Sequence, residues 1–419
     1  MLGFGTDGIR GTSAQLNETL AYKVGLALST LMGSGKYLVG RDTRVGGDAL
    51  SDAIMCGICA GGGECIDLGV VTTPCVSMLT VLLEMRCGVM VTASHNGPEY
   101  NGIKIFGNDG LKLSRIEEKQ IESYMLFAKP RGRKIRCKKL LSGAEIYISE
   151  MVRRVGRLDG AQVVLDAAHG SACTIAKKAF SLAGASVKVR NNLPDGSRIN
   201  LGCGALFPRA IKNAELGFAF DGDADRVTVA HKKSILDGDS VLYTLSESLA
   251  LKDDMVVGTV MSNLALERAL KSRGKRLVRT DVGDKFISAV MHENGYTLGG
   301  EQSGHYVISP YKTGDGIFCA LKMTEIYLRG GFKILDTVPQ KSVSFYADRD
   351  VTALDGVNEL IDYYSLKGVR LVVRMSGTEP KVRIMAESED EAIVERALKD
   401  FSALLGGKTN AVRWQNKQI

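Results

Sequence analysis

The sequence predicts an α/β protein of several domains with mixed sheets. Three observations carry that expectation. The chain has 419 residues, more than one compact core of about 100–200 residues uses. Short apolar runs alternate with Gly/Asp/Ser loops and amphipathic stretches, as at Tyr37-Leu-Val-Gly-Arg-Asp42, Gln162-Val-Val-Leu-Asp166 and Met255-Val-Val-Gly-Thr259. That is the strand, loop, helix rhythm of α/β domains, whose strand-end loops carry function. With 45% hydrophobic and 24% charged residues, the composition is globular and excludes a disordered or fibrous chain.

Taken in order, the opening Met1-Leu-Gly-Phe-Gly-Thr-Asp7 lacks a basic start and an apolar h-region, so no signal peptide is expected. No apolar stretch approaches the roughly 20 residues of a membrane helix, and a cytoplasmic location is expected. Leu50, Ile54 and Ile58 recur at helical spacing and put Cys56 and Cys59 on or near a buried face, with Cys65 and Cys75 close by. A C-x-x-C pair can serve redox or zinc chemistry. Nine cysteines without framework spacing in so long a chain read instead as core thiols of a reducing compartment. The basic run Lys129 to Lys139 is broken by Pro130 and Gly132 and carries no aromatic residues. It reads as a solvated linker rather than a nucleic-acid track. The formal charge of +7, from 54 basic and 47 acidic residues, is mild and suits phosphorylated small molecules. Boundaries at the linker before Met151, near 237–251 and near 336–344 give domains 1–150, 151–250, 251–340 and 341–419. In the last, Val369–Arg374 and Lys381–Met385 flank a polar loop as strands, while Val394, Leu398, Phe401 and Leu405 share a helix face. A small α+β domain follows.

Four loops carry chemistry. Val91-Thr-Ala-Ser-His-Asn96 puts Ser94 on a polar loop after an apolar run, where its hydroxyl is a feasible phosphoryl carrier; the plainer reading is a structural serine beside a hydrogen-bonded His95. In Asp221-Gly-Asp-Ala-Asp-Arg226, alternating carboxylates can converge on a hard cation such as Mg²⁺, with Arg226 balancing charge. The plainer reading is a turn between strands Leu216–Phe220 and Val227–Ala230. Asp237-Gly-Asp239 reads as a turn and helix cap. In Gly299-Gly-Glu-Gln-Ser-Gly-His305, glycines admit a ligand to the backbone, Glu301 and Ser303 suit vicinal hydroxyls, and His305 is a candidate acid or base. A glycine-rich turn with a structural histidine is the alternative. Arg374-Met-Ser-Gly-Thr-Glu-Pro-Lys-Val-Arg383 makes an anion cradle or a solvated turn.

In this order, and with Phe4-Gly-Thr-Asp-Gly-Ile-Arg-Gly11 at the start, the loops resemble the α-D-phosphohexomutase family over nearly the whole chain. The resemblance implies four domains around a central cleft, three of them related α/β domains and the fourth a TATA-binding-protein-like α+β domain. It implies that Ser94 is a phosphoserine and that its phosphate, with Asp221, Asp223 and Asp225, holds one Mg²⁺. Arg10, Lys104 and His305 are its candidates for charge stabilisation or proton transfer, the last two unranked. Lys104→Ala is expected to slow turnover and leave Mg²⁺ binding intact. Glu301 and Ser303 would read sugar hydroxyls, His95 and Arg226 would face substrate, and Arg374, Ser376, Gly377, Thr378 and Arg383 would clamp the non-reacting phosphate. The implied reaction converts glucosamine 6-phosphate to glucosamine 1-phosphate, with glucosamine or glucose 1,6-bisphosphate as activator. Glucose or mannose phosphates on the same machinery, a non-catalytic sugar-phosphate sensor and a metal-dependent phosphatase are the alternatives. The expected partners are a phosphosugar and a second copy in a homodimer, with no nucleic acid and no membrane. Two positions depart from the family pattern: Gly97 precedes Pro98, and Ala224 stands where glycine is usual. Altered loop flexibility is expected there, not lost chemistry.

Overall fold

The computed structural model describes residues 3–5, 7–130, 137–347, 350–375, 381–406 and 413–414. Their strands form four sheets in chain order. The first contains β1 (Phe4–Gly5), β2 (Gly8–Thr12), β3 (Lys36–Arg41), β4 (Glu64–Val70), β5 (Cys87–Val91), β6 (Tyr100–Phe106) and β7 (Cys137–Lys139), ordered β1-β2-β6-β5-β3-β4-β7. The run β5-β3-β4-β7 is parallel, and β6, β2 and β1 continue antiparallel. The chain leaves β3 for β4 on one side and returns to β5 on the other. The loops after β3 and β5 therefore diverge at the strands' carboxyl ends, which is where an open α/β sheet offers a crevice. The end of the expected basic linker is not solvated coil: Cys137–Lys139 pairs with β4 as an edge strand, while residues 131–136 lie outside the described residues.

The helices α1 (Glu18–Met32), α2 (Gly47–Gly61) and α4 (Arg115–Phe127) bury one face of this sheet against Ile9, Val39, Val89 and Ile105. Leu50, Ile54 and Ile58 point into this core as their spacing predicts, with Cys59 and Cys65 buried beside them. The helices α3 (Thr73–Leu82) and α5 (Gly143–Val152) cover the other face. That second core is continuous with the next two sheets, because Tyr147 and Met151 of α5 join Leu79 to Phe180 and Phe218.

The second sheet, ordered β12-β11-β10-β8-β9, uses β8 (Gln162–Asp166), β9 (Ser186–Arg190), β10 (Leu216–Phe220), β11 (Val227–His231) and β12 (Ser234–Ile235), with α6 (Ala172–Ala183) between β8 and β9. The helix α7 (Gly238–Ser248) starts at Asp237, whose side chain accepts the amide of Ser240, so Asp237-Gly-Asp239 is the cap it was read as. The third sheet, β14-β13-β15-β16, contains β13 (Met255–Thr259), β14 (Arg276–Thr280), β15 (Leu298–Gly300) and β16 (Tyr306–Ile308), with α8 (Leu264–Ser272), α9 (Asp284–Asn294) and α10 (Gly316–Leu328) around it. Each of these three sheets mixes parallel and antiparallel pairs, as expected.

The fourth sheet, β18-β19-β17-β20, is antiparallel and contains β17 (Gln340–Tyr346), β18 (Arg370–Met375), β19 (Lys381–Glu387) and β20 (Arg413–Trp414). Its core is separate from the rest and is closed by α11 (Asp355–Ser365) and α12 (Glu391–Gly406), the latter through Val394, Leu398, Phe401 and Leu405. The expected α+β character holds.

Candidate active site

Three loops, one from each of the first three sheets, meet around Ser94. The first follows β5. Ser94 is fully buried and takes a φ of 51°, in the left-handed region that non-glycine residues rarely use. In that conformation Oγ donates to Asp221 Oδ2 at 2.8 Å and lies 3.4 Å from His95 Nδ1. Burial, then Arg226 and Arg10, push the His95 imidazole down to about 3, so His95 is a neutral ring.

The second loop joins the antiparallel pair β10 and β11 and carries the three aspartates. Asp221, Asp223 and Asp225 are 0–2% exposed, and each turns an oxygen to within 4.8 Å of the others. Asp223 Oδ2 accepts from Thr73 Oγ1 and from Lys104 Nζ at 2.8 Å; Asp225 Oδ2 accepts from the same ammonium at 2.7 Å. Their other oxygens, Asp223 Oδ1 and Asp225 Oδ1, are buried without a partner. Burial works against the Asp225 charge, but Lys104 and His305 outweigh it and hold the carboxyl well below its ordinary range. Burial and the charges of Asp225 and Asp223 push Asp221 well above it. Three buried carboxylates with one shared ammonium and two orphaned oxygens fit a divalent cation. Ala224 of this loop has a φ of 57°: the position keeps the left-handed backbone that glycine adopts freely, and alanine bears the strain.

Lys104 itself comes from β6. Burial disfavours its charge, yet Asp223, Asp225 and Asp7 raise its pKa well above the lysine norm, so it is an ammonium that donates and cannot accept a proton. Arg10, on β2, bonds Asp7 and donates to Asn96 Oδ1 at 2.7 Å. Asp7 extends the network through Lys112, which also pairs with Asp284 at the start of α9.

His305 enters from the third loop. The amide of Gly314 donates to its Nε2 at 3.0 Å, which makes Nε2 the acceptor and leaves the ring proton on Nδ1, 3.9 Å from Asp225 Oδ1. Burial disfavours a second proton, but Asp284, whose Oδ2 lies 3.5 Å from Nε2, and Asp225 outweigh it and raise the His305 pKa. Glu301 is buried; its Oε1 accepts the Gly283 amide at 2.9 Å and its Oε2 the Ser303 hydroxyl at 3.1 Å. Arg226 is tied to this loop by backbone pairing with His305, and its amide donates to Asp221 Oδ1.

The fourth loop is reached through its flanking strands. Arg374 and Arg383 are directly opposed on β18 and β19. Burial, then the neighbouring Arg383, lower the Arg374 guanidinium, while Glu301 and Asp281 support its charge. Like charges placed opposite one another in a sheet are unfavourable unless an anion lies between them. Ser376, Gly377 and Thr378 lie outside the described residues. Asp7, Lys112, Asp284, Thr73, Arg44 and Asn200 join the network without having been singled out in the sequence. Only Asp7 had a local signal, its place in Phe4-Gly-Thr-Asp-Gly-Ile-Arg-Gly11.

Domain models of the phosphoglucomutase/phosphomannomutase family match residues 1–130 (alpha/beta/alpha domain I), 237–343 (alpha/beta/alpha domain III) and 337–404 (C-terminal domain). The chain belongs to that family. Within it, the chain is similar over nearly its whole length to phosphoglucosamine mutases. The Thermotoga neapolitana protein is 40% identical over 96% of this chain and 99% of the relative; the Rhizobium etli protein is 38% identical over 97% and 99%. The fold is shared with a phosphoglucomutase/phosphomannomutase family protein from Burkholderia thailandensis, at 22% identity, a TM-score of 0.81 and 98% of each chain. It is shared too with Aspergillus fumigatus N-acetylphosphoglucosamine mutase, solved with GlcNAc-6P and magnesium, at 18% identity, a TM-score of 0.64 and 96% and 95% coverage. Among the described residues no helix is long and apolar enough to cross a membrane.

Proposed function

We propose that the chain is a phosphoglucosamine mutase that interconverts glucosamine 6-phosphate and glucosamine 1-phosphate through phospho-Ser94. The observation that carries this reading is the placement of Ser94 Oγ, 2.8 Å from Asp221 and facing three buried carboxylates of which two keep unpartnered oxygens. Relatives about as similar as 40% over nearly the full length favour the amino sugar among hexose phosphates. The chain divides in this reading into domains 1–150, 151–250, 251–340 and 341–419, which contribute the nucleophile, metal, sugar and phosphate loops in turn.

Asp221, Asp223 and Asp225 would hold Mg²⁺, which when bound neutralises charge on the transferring phosphoryl group. Arg374 and Arg383 would grip the 6-phosphate and orient the sugar with its 1-hydroxyl toward phospho-Ser94. The 1-hydroxyl oxygen forms the new P–O bond as the P–Oγ bond breaks, and the hydroxyl proton ends on Ser94 Oγ. After the bisphosphate turns end for end, Ser94 Oγ bonds the 6-phosphoryl group as its bond to sugar O6 breaks, the serine proton ends on O6, and glucosamine 1-phosphate leaves. Lys104 and Arg10 keep positive charge beside the group in flight, Glu301 and Ser303 read sugar hydroxyls, and the Nδ1 proton of His305 faces the same site. Glucosamine or glucose 1,6-bisphosphate would prime Ser94.

The test follows phosphorus NMR of the protein and of Ser94→Ala with Mg²⁺, a trace of sugar 1,6-bisphosphate, and glucosamine 6-phosphate, glucose 1-phosphate or mannose 1-phosphate. Conversion fastest for the amino sugar and lost in Ser94→Ala is expected. Preference for glucose or mannose phosphate would overturn the substrate, free phosphate would indicate a phosphatase, and no isomerisation a sensor.

A further inference from the structure

We propose that Arg44 is the positioning residue of the nucleophile loop: with Asn200 it holds Ser94 in its left-handed conformation, and so sets the rate of phosphoryl transfer without touching substrate. This rests on Ser94 being the phosphoryl carrier.

Arg44 follows β3 across the sheet's switch point from Ser94. It is 2% exposed and the bulkiest of the fully buried side chains, an expensive place for a cation unless every donor is used. Every donor is used. Nε donates to Asp42 Oδ2 at 3.0 Å, one terminal nitrogen donates to the carbonyls of Gly97 (2.5 Å) and Tyr100 (2.9 Å), and the other to those of Ser94 and Asn96, both at 2.8 Å. Five hydrogens thus meet five acceptors, three of them backbone carbonyls of the loop that carries the serine and a fourth the carbonyl of Tyr100, where β6 begins. Asp42 anchors the guanidinium and also accepts Thr92 Oγ1 at 2.7 Å; Thr92 Oγ1 in turn accepts the Ser94 amide at 2.9 Å. Both the amide and the carbonyl of Ser94 are therefore fixed from the β3 side.

A second clamp comes from the neighbouring sheet. Asn200, at a φ of 58°, donates its amide to the carbonyls of Ser94 (2.8 Å) and Asn96 (3.0 Å). Gly222 of the aspartate loop makes room for it, since a Cβ there would lie 2.8 Å from the Ser94 carbonyl oxygen and 3.0 Å from the Asn200 amide. With the Ser94 carbonyl held by Arg44 and Asn200 and its φ positive, Oγ donates to Asp221 Oδ2. A lysine at position 44 would keep the charge but bring three donors to five acceptors and no planar fork.

The test compares the parent protein, Arg44→Lys, Asn200→Gly and Ser94→Ala for kcat and KM with glucosamine 6-phosphate, for Ser94 phosphorylation by sugar 1,6-bisphosphate read as intact mass, and for melting temperature. If Ser94 moves by the order of 1 Å, Arg44→Lys lowers kcat about 10²-fold; KM stays near the parental value, and phosphorylation of Ser94 slows with kcat. Asn200→Gly, which keeps the left-handed backbone and removes one donor to each carbonyl, falls by about 10-fold at constant KM. Arg44→Lys with parental kcat per folded molecule, or with a lowered melting temperature and parental kcat, overturns the proposal. Should Arg44→Lys not fold, Asn200→Gly decides alone, a loss of kcat at constant KM supporting and parental kcat overturning it. Undiminished turnover in Ser94→Ala would instead sink the phosphoserine reading itself.

Discussion

Replacing Lys104 by methionine keeps the length and apolar bulk of the side chain and removes the charge that three carboxylates share. Nζ lies 2.8 Å from Asp223 Oδ2, 2.7 Å from Asp225 Oδ2 and 3.3 Å from Asp7 Oδ2. At an effective dielectric constant of about 20, each of the two shorter contacts is a gross attraction of about 6 kcal/mol, most of it offset by dehydration of the ions. Removing one partner leaves uncompensated buried charge, at a cost of about 3–5 kcal/mol. Set against a domain stability of about 5–15 kcal/mol, that is a large fraction. At roughly 2–4 °C per kcal/mol, metal-free Lys104→Met should melt about 6–20 °C below the parent. Lys104 bonds the Oδ2 atoms of Asp223 and Asp225 and leaves both Oδ1 atoms open, so ammonium and metal ion can share the carboxylates. A bound cation then supplies the charge the mutation took away, and excess Mg²⁺ should raise the melting temperature of the variant more than that of the parent. Calorimetry in EDTA and in MgCl₂ reads both effects. A variant that melts within about 2 °C of the parent in EDTA, or an equal Mg²⁺-induced rise in both proteins, would refute the argument.

Three other outcomes follow from single contacts. A Cβ at Gly314 would lie 2.4 Å from the His305 ring, so Gly314→Ala should displace the imidazole and lower kcat by about 10²-fold; steady-state kinetics within twofold of the parent would remove His305 from the reaction. Arg374→Met should raise KM for the sugar phosphate by about 10–100-fold, the worth of a charged hydrogen bond, and an unchanged KM would take this arginine out of the phosphate clamp. Asp315, buried and bonded to Tyr147 and the Phe318 amide, is pushed up to about 6 by burial. Its folded form therefore holds a proton that the unfolded chain has lost, and its contribution falls as pH rises between about 4 and 6, by about 3 kcal/mol in all. Asp315→Asn should remove that fall and melt no lower than the parent at neutral pH; urea titrations at pH 4.5 and pH 7.5 that show the same pH dependence in both would contradict it.

The strands and helices were legible wherever a periodic apolar pattern and a turn signal coincided. Leu50, Ile54 and Ile58 gave α2 its buried face, and Asp237 announced the cap of α7, because both depend on neighbours within a few residues. The basic run was less legible. Its charges suit a solvated linker, but Cys137–Lys139 needs only the open edge of β4 to become a strand, and an edge available elsewhere in the chain leaves no local trace. The four loops were legible as candidates for chemistry, since each concentrates polar and charged groups within a few positions.

The residues that hold those groups in place were not, and the reason is distance along the chain. Arg44 reaches carbonyls 50 to 56 residues away, Asn200 reaches the same carbonyls across more than 100, and Lys112 meets Asp284 across 172. Carbonyls are present at every position and identify nothing in a sequence, so an arginine whose partners are mostly carbonyls looks like any surface arginine until the sheet order brings β3 beside β5. The same asymmetry explains Ala224. Read as a departure from glycine, it suggested a changed loop, yet the backbone there keeps its left-handed turn. Its methyl group is fully buried in the core shared by the first three sheets, and burying a methyl is worth about 0.8 kcal/mol against about 1–2 kcal/mol of left-handed strain. Packing from other parts of the fold thus repays much of a cost that the local sequence alone displays.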